Sequence, residues 1–285
     1  MLTTSMQRVI VGVLVALYLG AVAITVGGSP QGWTNVASPE SGTRPWWLIL
    51  GPALLGCALI LLLPRRAKPQ PARVGDPRAF RRSTVFLLVL AVAIIGVGVA
   101  PVGIEDFILA KLLIFLILPG LALGLAWRRG VRIQWRPGAW RWWIPAGIVA
   151  LWAVLSFAGP WVERVDFSDY DLGLVIVGAT VTAMTAGVGE ELFYRRWLQT
   201  RLEAWGGAAV GIAISTVLFA LMHVGTHGTG DLLADAALFL TVHGTGGLFY
   251  ALLWWRYRNI AMNIVAHLLH NGWAVGVYLV GVALG

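Results

Sequence analysis

The sequence predicts an all-α fold, a polytopic bundle of about nine transmembrane helices with the N-terminus in the cytoplasm and the C-terminus outside. Three observations lead there. Hydrophobic residues make up 58% of the 285-residue chain and charged residues only 12%, whereas a soluble domain carries roughly 25% charge. Apolar runs of spanning length, about 20 residues each, recur along the whole chain. The basic residues are confined to alternate loops between those runs, the pattern of the positive-inside rule.

The runs fall near 9–26, 46–63, 84–103, 107–127, 142–160, 172–193, 207–223, 232–255 and 260–283. Of the 21 basic residues, all but Arg44, Lys111 and Arg164 precede the first run or lie at 64–82, 128–141, 195–201 and 256–258. The other loops carry Glu40, Glu105, Asp106 and the acidic stretch WVERVDFSDYD ending at Asp171. Membrane orientation thus accounts for the formal charge of +8, which leaves no basic face for nucleic acid. Fifteen tryptophans suit two interfacial belts. The single cysteine, Cys57, sits in an apolar run and reads as a packing residue, excluding a disulfide framework.

Arg8 followed by an apolar stretch and Ala21-Val22-Ala23 imitates a cleavable signal peptide. The apolar run continues to Val26, however, so the first span is expected to be retained. Three regions follow: 1–83, a two-span N-terminal hairpin with a flexible basic linker; 84–170, accessory spans; and 171–285, the core that carries the chemistry. There is no internal repeat and no pair of discontinuous spans of the kind inverted-repeat carriers use.

The stretch GVGEELFYRRWL, Gly187 to Leu198, breaks a run that holds no charge after Asp171. A carboxylate inside lipid costs about 2.5–3.5 kcal/mol on insertion scales. The helical pattern continues to Trp205, which puts Glu190 and Glu191 one or two turns below the cytoplasmic surface. Glu191 and Arg195 share a helix face at i,i+4. Glu190 points about 100° away and has no local partner. A poorly hydrated carboxylate beside a salt-bridged neighbour suits a general base acting on water; the plainer alternative is a snorkelling Glu–Arg cluster that ends a helix.

His223 closes the seventh run in FALMH, one turn after Phe219, and His267 and Asn271 lie at i,i+4 in HLLHN. A lone histidine on an apolar span is commonly a hydrogen-bonded packing residue. Two of them on separate spans, with an unpaired glutamate on a third, favour convergence on one cavity. His243 and His270 are candidate accessories lining it. His223 and His227 imitate half of a zinc site, but GTHGTG favours a turn, so the helix is expected to end before His227.

EELFYR, FALMH and HLLHN resemble the EExxxR, FxxxH and HxxxN motifs of the CAAX prenyl endopeptidase and bacteriocin-processing family, also called the ABI family. The resemblance covers roughly 171–275, with the motifs in order, and extends to GLFYALLWWRYRNIAMNIVAH before the last of them. It implies an intramembrane endopeptidase, a multi-pass hydrolase of the cell membrane. Its substrate would be a peptide or protein in or near the bilayer, prenylated at cysteine for some members; other members are linked to bacteriocin immunity. It implies Glu190 as general base, His223 polarising the attacking water, and His267 and Asn271 donating to the oxyanion. Glu191 and Arg195 would hold the constellation. The family is often labelled metalloprotease, and Glu190, His223 and His267 are the implied zinc ligands if a metal is present. A glutamate and a histidine suffice to activate water, so the metal-independent reading is preferred.

Depth poses a difficulty. His223 is about 16 residues into its run, or ~25 Å, whereas His267 is about 10 Å into its own at 1.5 Å per residue. Either 196–209 is an interfacial helix and the seventh span starts later, or the span tilts strongly. Among rival proteases, HExxH and GxSG are absent from the sequence. Tyr170-Asp171 and Gly228-Thr229-Gly230-Asp231 imitate aspartyl motifs but fall in outer loops. The non-proteolytic alternatives are a membrane immunity or scaffold protein and a proton-coupled carrier with a Glu/His relay.

Reporter fusions placed after Arg78 and after Gly285 are expected to report opposite sides of the membrane, the first cytoplasmic. The same side for both would discard the orientation drawn from the charge pattern.

Overall fold

The computed structural model describes residues 2–34, 43–63, 76–131, 142–162, 165–227 and 229–284. Most of the basic stretches 64–82 and 128–141 lies outside these residues, as do Glu40, Glu163, Arg164 and Gly228. Among the described residues, nine apolar helices build the molecule. They are α1 (Thr4–Gly28), α2 (Trp46–Leu62), α3 (Pro77–Val99), α4 (Ile104–Arg128), α5 (Trp143–Ala158), α6 (Leu172–Gly206), α7 (Ala208–Leu221), α8 (Leu232–Tyr257) and α9 (Ile260–Leu284). Six of them, α1, α3, α4, α6, α8 and α9, are long and apolar enough to cross a membrane, and α2, α5 and α7 are shorter. Each expected apolar run coincides with one helix. The fold is a helical membrane bundle, and the span number and orientation rest on the loop charges.

Two details depart from the sequence expectation. First, α3 begins seven residues early, at Pro77, because Asp76 caps it: its carboxylate accepts from the amides of Arg78 (2.8 Å) and Ala79 (3.2 Å). Proline at the first helical position, which has no amide to satisfy, completes that start signal. The end of the expected flexible linker is therefore helix. Second, the α1–α2 connection carries a small antiparallel ladder, β1 (Trp33–Thr34) with β2 (Thr43–Arg44), which no alternation in the sequence announced.

The continuation of the sixth helix to Trp205, expected from the sequence, is present: α6 runs 35 residues to Gly206, with a wide π winding over Ala183–Gln199, and ends where Gly207 adopts φ +88° and turns the chain into α7. Only glycine takes that backbone conformation cheaply. Glu190 lies midway along this rod.

Asp171 and Asp231, the two aspartates that imitate a protease motif, are helix caps. Asp171 accepts from Leu174 N (3.0 Å) at the start of α6. Asp231 accepts from Leu233 N and Ala234 N (both 3.1 Å) at the start of α8. Each satisfies amides that a helix N-terminus leaves free.

The core is centred on α8, of which 67% of the best apolar window is buried. Trp254, Tyr250 and Phe249 of α8 and Phe193 and Tyr194 of α6 are fully enclosed. The α1–α2 hairpin packs on α8 as part of the same bundle. Tyr18 Oη lies 2.6 Å from Thr245 Oγ1, Thr241 Oγ1 donates to Thr25 Oγ1 at 3.3 Å, and Gly56 of α2 faces the Phe249 ring. Cys57 is a buried free thiol within that packing.

α9 lies against α6, and they pack tightly at Gly187, where a Cβ would press on the Leu268 side chain. Gly187→Leu is expected to wedge the two helices apart at a cost of about 1–3 kcal/mol, read as a lower Tm of the purified protein. Gly178→Ala, on the same helix but facing open space, is the control and should leave Tm unchanged or slightly raised.

Candidate active site

The wide-wound middle of α6 is buried on nearly every side, and it carries both carboxylates and Arg195 into the bundle. Stretches with i→i+5 bonding are uncommon and concentrate at functional positions. Glu190 is 1% exposed, and Glu191 and Arg195 are fully buried. Charges this deep must be paired or hydrogen-bonded, since leaving one alone costs far more than pairing returns.

Glu191 is satisfied on both oxygens. His267 Nδ1 donates to its Oε1 at 2.9 Å, and Asn263 Nδ2 donates to its Oε2 at 3.1 Å. Arg195 Nε stands 3.6 Å from Oε2, the expected i,i+4 pair. The guanidinium lies in an aromatic cage, its Cζ 4.4 Å from the Phe219 ring centre, 5.6 Å from that of Tyr250 and 5.9 Å from that of Tyr194. These ring faces carry partial negative charge and accommodate the cation where water does not reach.

Glu190 is arranged differently. Lys111 Nζ of α4 lies 2.6 Å from its Oε1, and Oε2 is 3.8 Å from His267 Nε2. With Nδ1 donating to Glu191, Nε2 is the ring atom left facing Glu190 Oε2, and it is an acceptor when the imidazole is neutral. Neither Glu190 oxygen has a hydrogen bond, Oε1 being held by the Lys111 ion pair, and capacity is also left over at the hydroxyls of Tyr194 and Tyr250 and the Arg195 nitrogens. A buried cluster of such groups is suited to bind water or a polar reactant.

Of the residues the sequence singled out, the structure brings Glu190, Glu191, Arg195 and His267 into one cluster. His223 stands apart by one aromatic ring. Its Nδ1 is 3.0 Å from the Phe219 carbonyl oxygen, and the Phe219 ring lies 5.2 Å from His223 and 5.9 Å from His267. His243 stacks on His223 at 4.0 Å, so it joins this second group. Asn271 is exposed, one turn beyond buried His267. His270 is exposed as well and faces the Trp152 and Phe157 rings of α5. α7 ends at Leu221, before His227 as expected, and His227 closes a separate one-turn helix, Val224–His227.

Two residues of the cluster were not anticipated. Asn263 precedes His267 by four residues and so shares its face, and it also donates to the Tyr250 carbonyl at 2.9 Å. Lys111 is the sole ionisable residue in the run 107–127, and a charge inside a span is itself a signal of function.

Among the described residues no three of His, Cys, Asp and Glu are grouped to hold an ion. Of the three ligands the resemblance implies for zinc, Glu190 and His267 lie together, while His223 stands across the Phe219 ring from His267.

Residues 172–273 match the model of the family described as Rce1-like, type II CAAX prenyl endopeptidase Rce1-like. No curated protein and no solved structure matches the chain significantly. The matched segment opens at the first residue of α6 and closes within α9, so it contains every member of the cluster except Lys111.

Asn263 and Asn271 should separate on stability. Asn263→Ala removes a donor from a buried carboxylate and is expected to cost about 1.5–3 kcal/mol, whereas Asn271→Ala at an exposed position should stay within about 0.5 kcal/mol. Thermal denaturation of the two purified variants reads the difference.

Proposed function

With residues 172–273 in the Rce1-like family of type II CAAX prenyl endopeptidases, we propose that the chain is a multi-pass intramembrane endopeptidase of the cell membrane. Its substrate is a peptide or protein in or near the bilayer, with a prenylated cysteine as the family precedent. The observation that carries this reading is the inequivalence of two adjacent buried carboxylates. Glu191 is fully occupied by His267, Asn263 and Arg195, while Glu190 keeps Oε2 turned toward His267 Nε2 without a hydrogen bond.

A water donating one hydrogen to Glu190 Oε2 and the other to His267 Nε2 fits between two such acceptors. Glu190 takes the first proton as the water oxygen bonds to the scissile carbonyl carbon, and the carbonyl π electrons move to its oxygen. When the tetrahedral centre collapses and the C–N bond breaks, the same proton passes from Glu190 to the leaving amine. Glu191 acts through His267, fixing the ring and its tautomer as the carboxylate of a triad does. The geometry therefore favours His267 at the water, a part the family resemblance gives to His223. In this reading His223 acts from beyond Phe219, and Asn271, exposed on α9, donates to the carbonyl of the arriving substrate.

The test is quantitative proteomics of membranes from cells expressing the wild-type chain or Glu190→Gln. Fragments present with the wild type and missing with Glu190→Gln are expected, with the variant protein folded and near wild-type abundance. Glu191→Gln should lose the fragments and also lower abundance and Tm, because it removes the charge paired with Arg195 and replaces one acceptor oxygen by a donor amide; breaking such a buried pair typically costs about 3–5 kcal/mol. An unchanged fragment pattern in Glu190→Gln would remove the protease reading and leave the immunity or carrier readings.

A further inference from the structure

Lys111 belongs to α4, outside the matched segment 172–273 and outside all three motifs. Its ammonium group is nevertheless the group closest to the proposed base, 2.6 Å from Glu190 Oε1, with the Lys111 side chain 14% exposed. The Phe107 ring, one turn earlier on α4, lies 5.6 Å from Nζ. Immediately after Lys111 the helix widens into π winding over Leu113–Ile117, and Phe115 from this turn packs on Phe193 and Tyr194 of α6. The lysine is thus aimed at α6 by a locally altered helix.

Stability alone does not account for it. Two opposite charges placed in an apolar interior gain little or nothing over an apolar pair of similar volume, because desolvation offsets their attraction. The charge inventory of the cluster supplies a reason. Glu190 is faced by Lys111 from α4, His267 from α9 and Tyr250 from α8, with Glu191, Tyr194 and Arg195 on its own helix. Arg195 is committed to Glu191 and to its aromatic cage. The two carboxylates balance Lys111 and Arg195 when His267 carries the neutral ring that the proposed hydrolysis uses.

We infer that Lys111 is a positioning residue for the proposed hydrolysis: it fixes Glu190 through Oε1, leaves Oε2 for the water, and remains as a stationary countercharge during the reaction. This inference rests on the protease reading. As the water proton passes to Glu190, the negative charge leaves the carboxylate and arrives on the substrate carbonyl oxygen. The sum over the cluster stays at zero only while the ammonium remains beside it. No other charge has to be brought in from water, which is what a preorganised site achieves.

The experiment uses the full chain in detergent with Lys111→Met, Lys111→Arg, Glu190→Gln and the double variant Lys111→Met/Glu190→Gln. Tm needs no substrate: each neutral single variant is expected to lower it by several degrees, and the double variant to recover most of that loss. Kinetics are read with a quenched fluorescent peptide spanning the cleavage site mapped from Glu190-dependent fragments. Lys111→Met should lower kcat about 10²-fold with KM changed by less than about threefold, and Lys111→Arg should restore at least about tenfold of the loss. Additive Tm losses in the double variant, an unchanged kcat, or an effect confined to KM would each overturn the role. If no Glu190-dependent fragment exists, the protease reading falls and this role falls with it, while a coupled Tm cycle would still show the ion pair.

Discussion

Two adjacent carboxylates held in the middle of an apolar bundle set the central constraint. Neither is reached by bulk water, so each must find positive charge or hydrogen-bond donors within the protein. The surrounding structure meets that demand element by element. The wide winding of α6 carries Glu190, Glu191 and Arg195 inside together. The bare Gly187 lets α9 come close enough to bring His267 and Asn263 to Glu191. Aromatic faces from α6, α7 and α8 enclose the guanidinium, and α4 supplies the ammonium that Glu190 lacks on its own helix.

How much of this was legible depended on whether a contact is local. The Glu191–Arg195 pair could be read directly, because a four-residue separation puts two side chains on one helix face whatever the rest of the chain does. The nine apolar runs were legible for the same reason: lipid leaves the backbone no other way to satisfy itself. Glu190's partner was not, since Lys111 lies on a different helix and no spacing rule links the two. The asparagines show the limit most clearly. Asn263 and Asn271 are both four residues from His267, on either side of it; helix geometry rates them equally, and the packing of α9 on α6 chooses Asn263 for Glu191. The start of α3 was visible in the pair Asp76-Pro77, but the surrounding basic and proline-rich composition suggested a linker instead.

The length of α6 shows a related effect. Hydropathy falls beyond residue 193, yet the helix persists because its polar residues have tertiary partners. Gln199 Nε2 donates to the Ala251 carbonyl at 2.9 Å and its Oε1 accepts from Ser215 at 3.3 Å. Trp254 Nε1 donates to Thr200 Oγ1 at 3.0 Å, and Glu203 pairs with Arg258, the left-handed residue that closes α8. This polar clasp joins α6 to α7 and α8 on the side of the chain reversal at Gly207. From Glu190 to Glu203 is roughly 20 Å along the rod at 1.5 Å per residue. The clasp therefore anchors one end of the element whose middle must hold two carboxylates in different environments.

The placement of Lys111 bears on how much of the chain the chemistry requires. Within the matched segment 172–273 the cluster holds two carboxylates and one fixed cation, Arg195, so with His267 neutral that segment taken alone leaves one buried negative charge uncompensated. Its balance comes from α4, in the region 84–170 that the sequence presents as accessory. Packing extends the dependence further, since α8 supplies Tyr250 to the cage and is itself held by α1 and α2 through Tyr18, Thr25 and Gly56. A boundary drawn by motif density at residue 171 therefore cuts through one electrostatic unit. The residues outside it complete the site in two ways, by countercharge from α4 and by the packing that keeps α8 in register with α6.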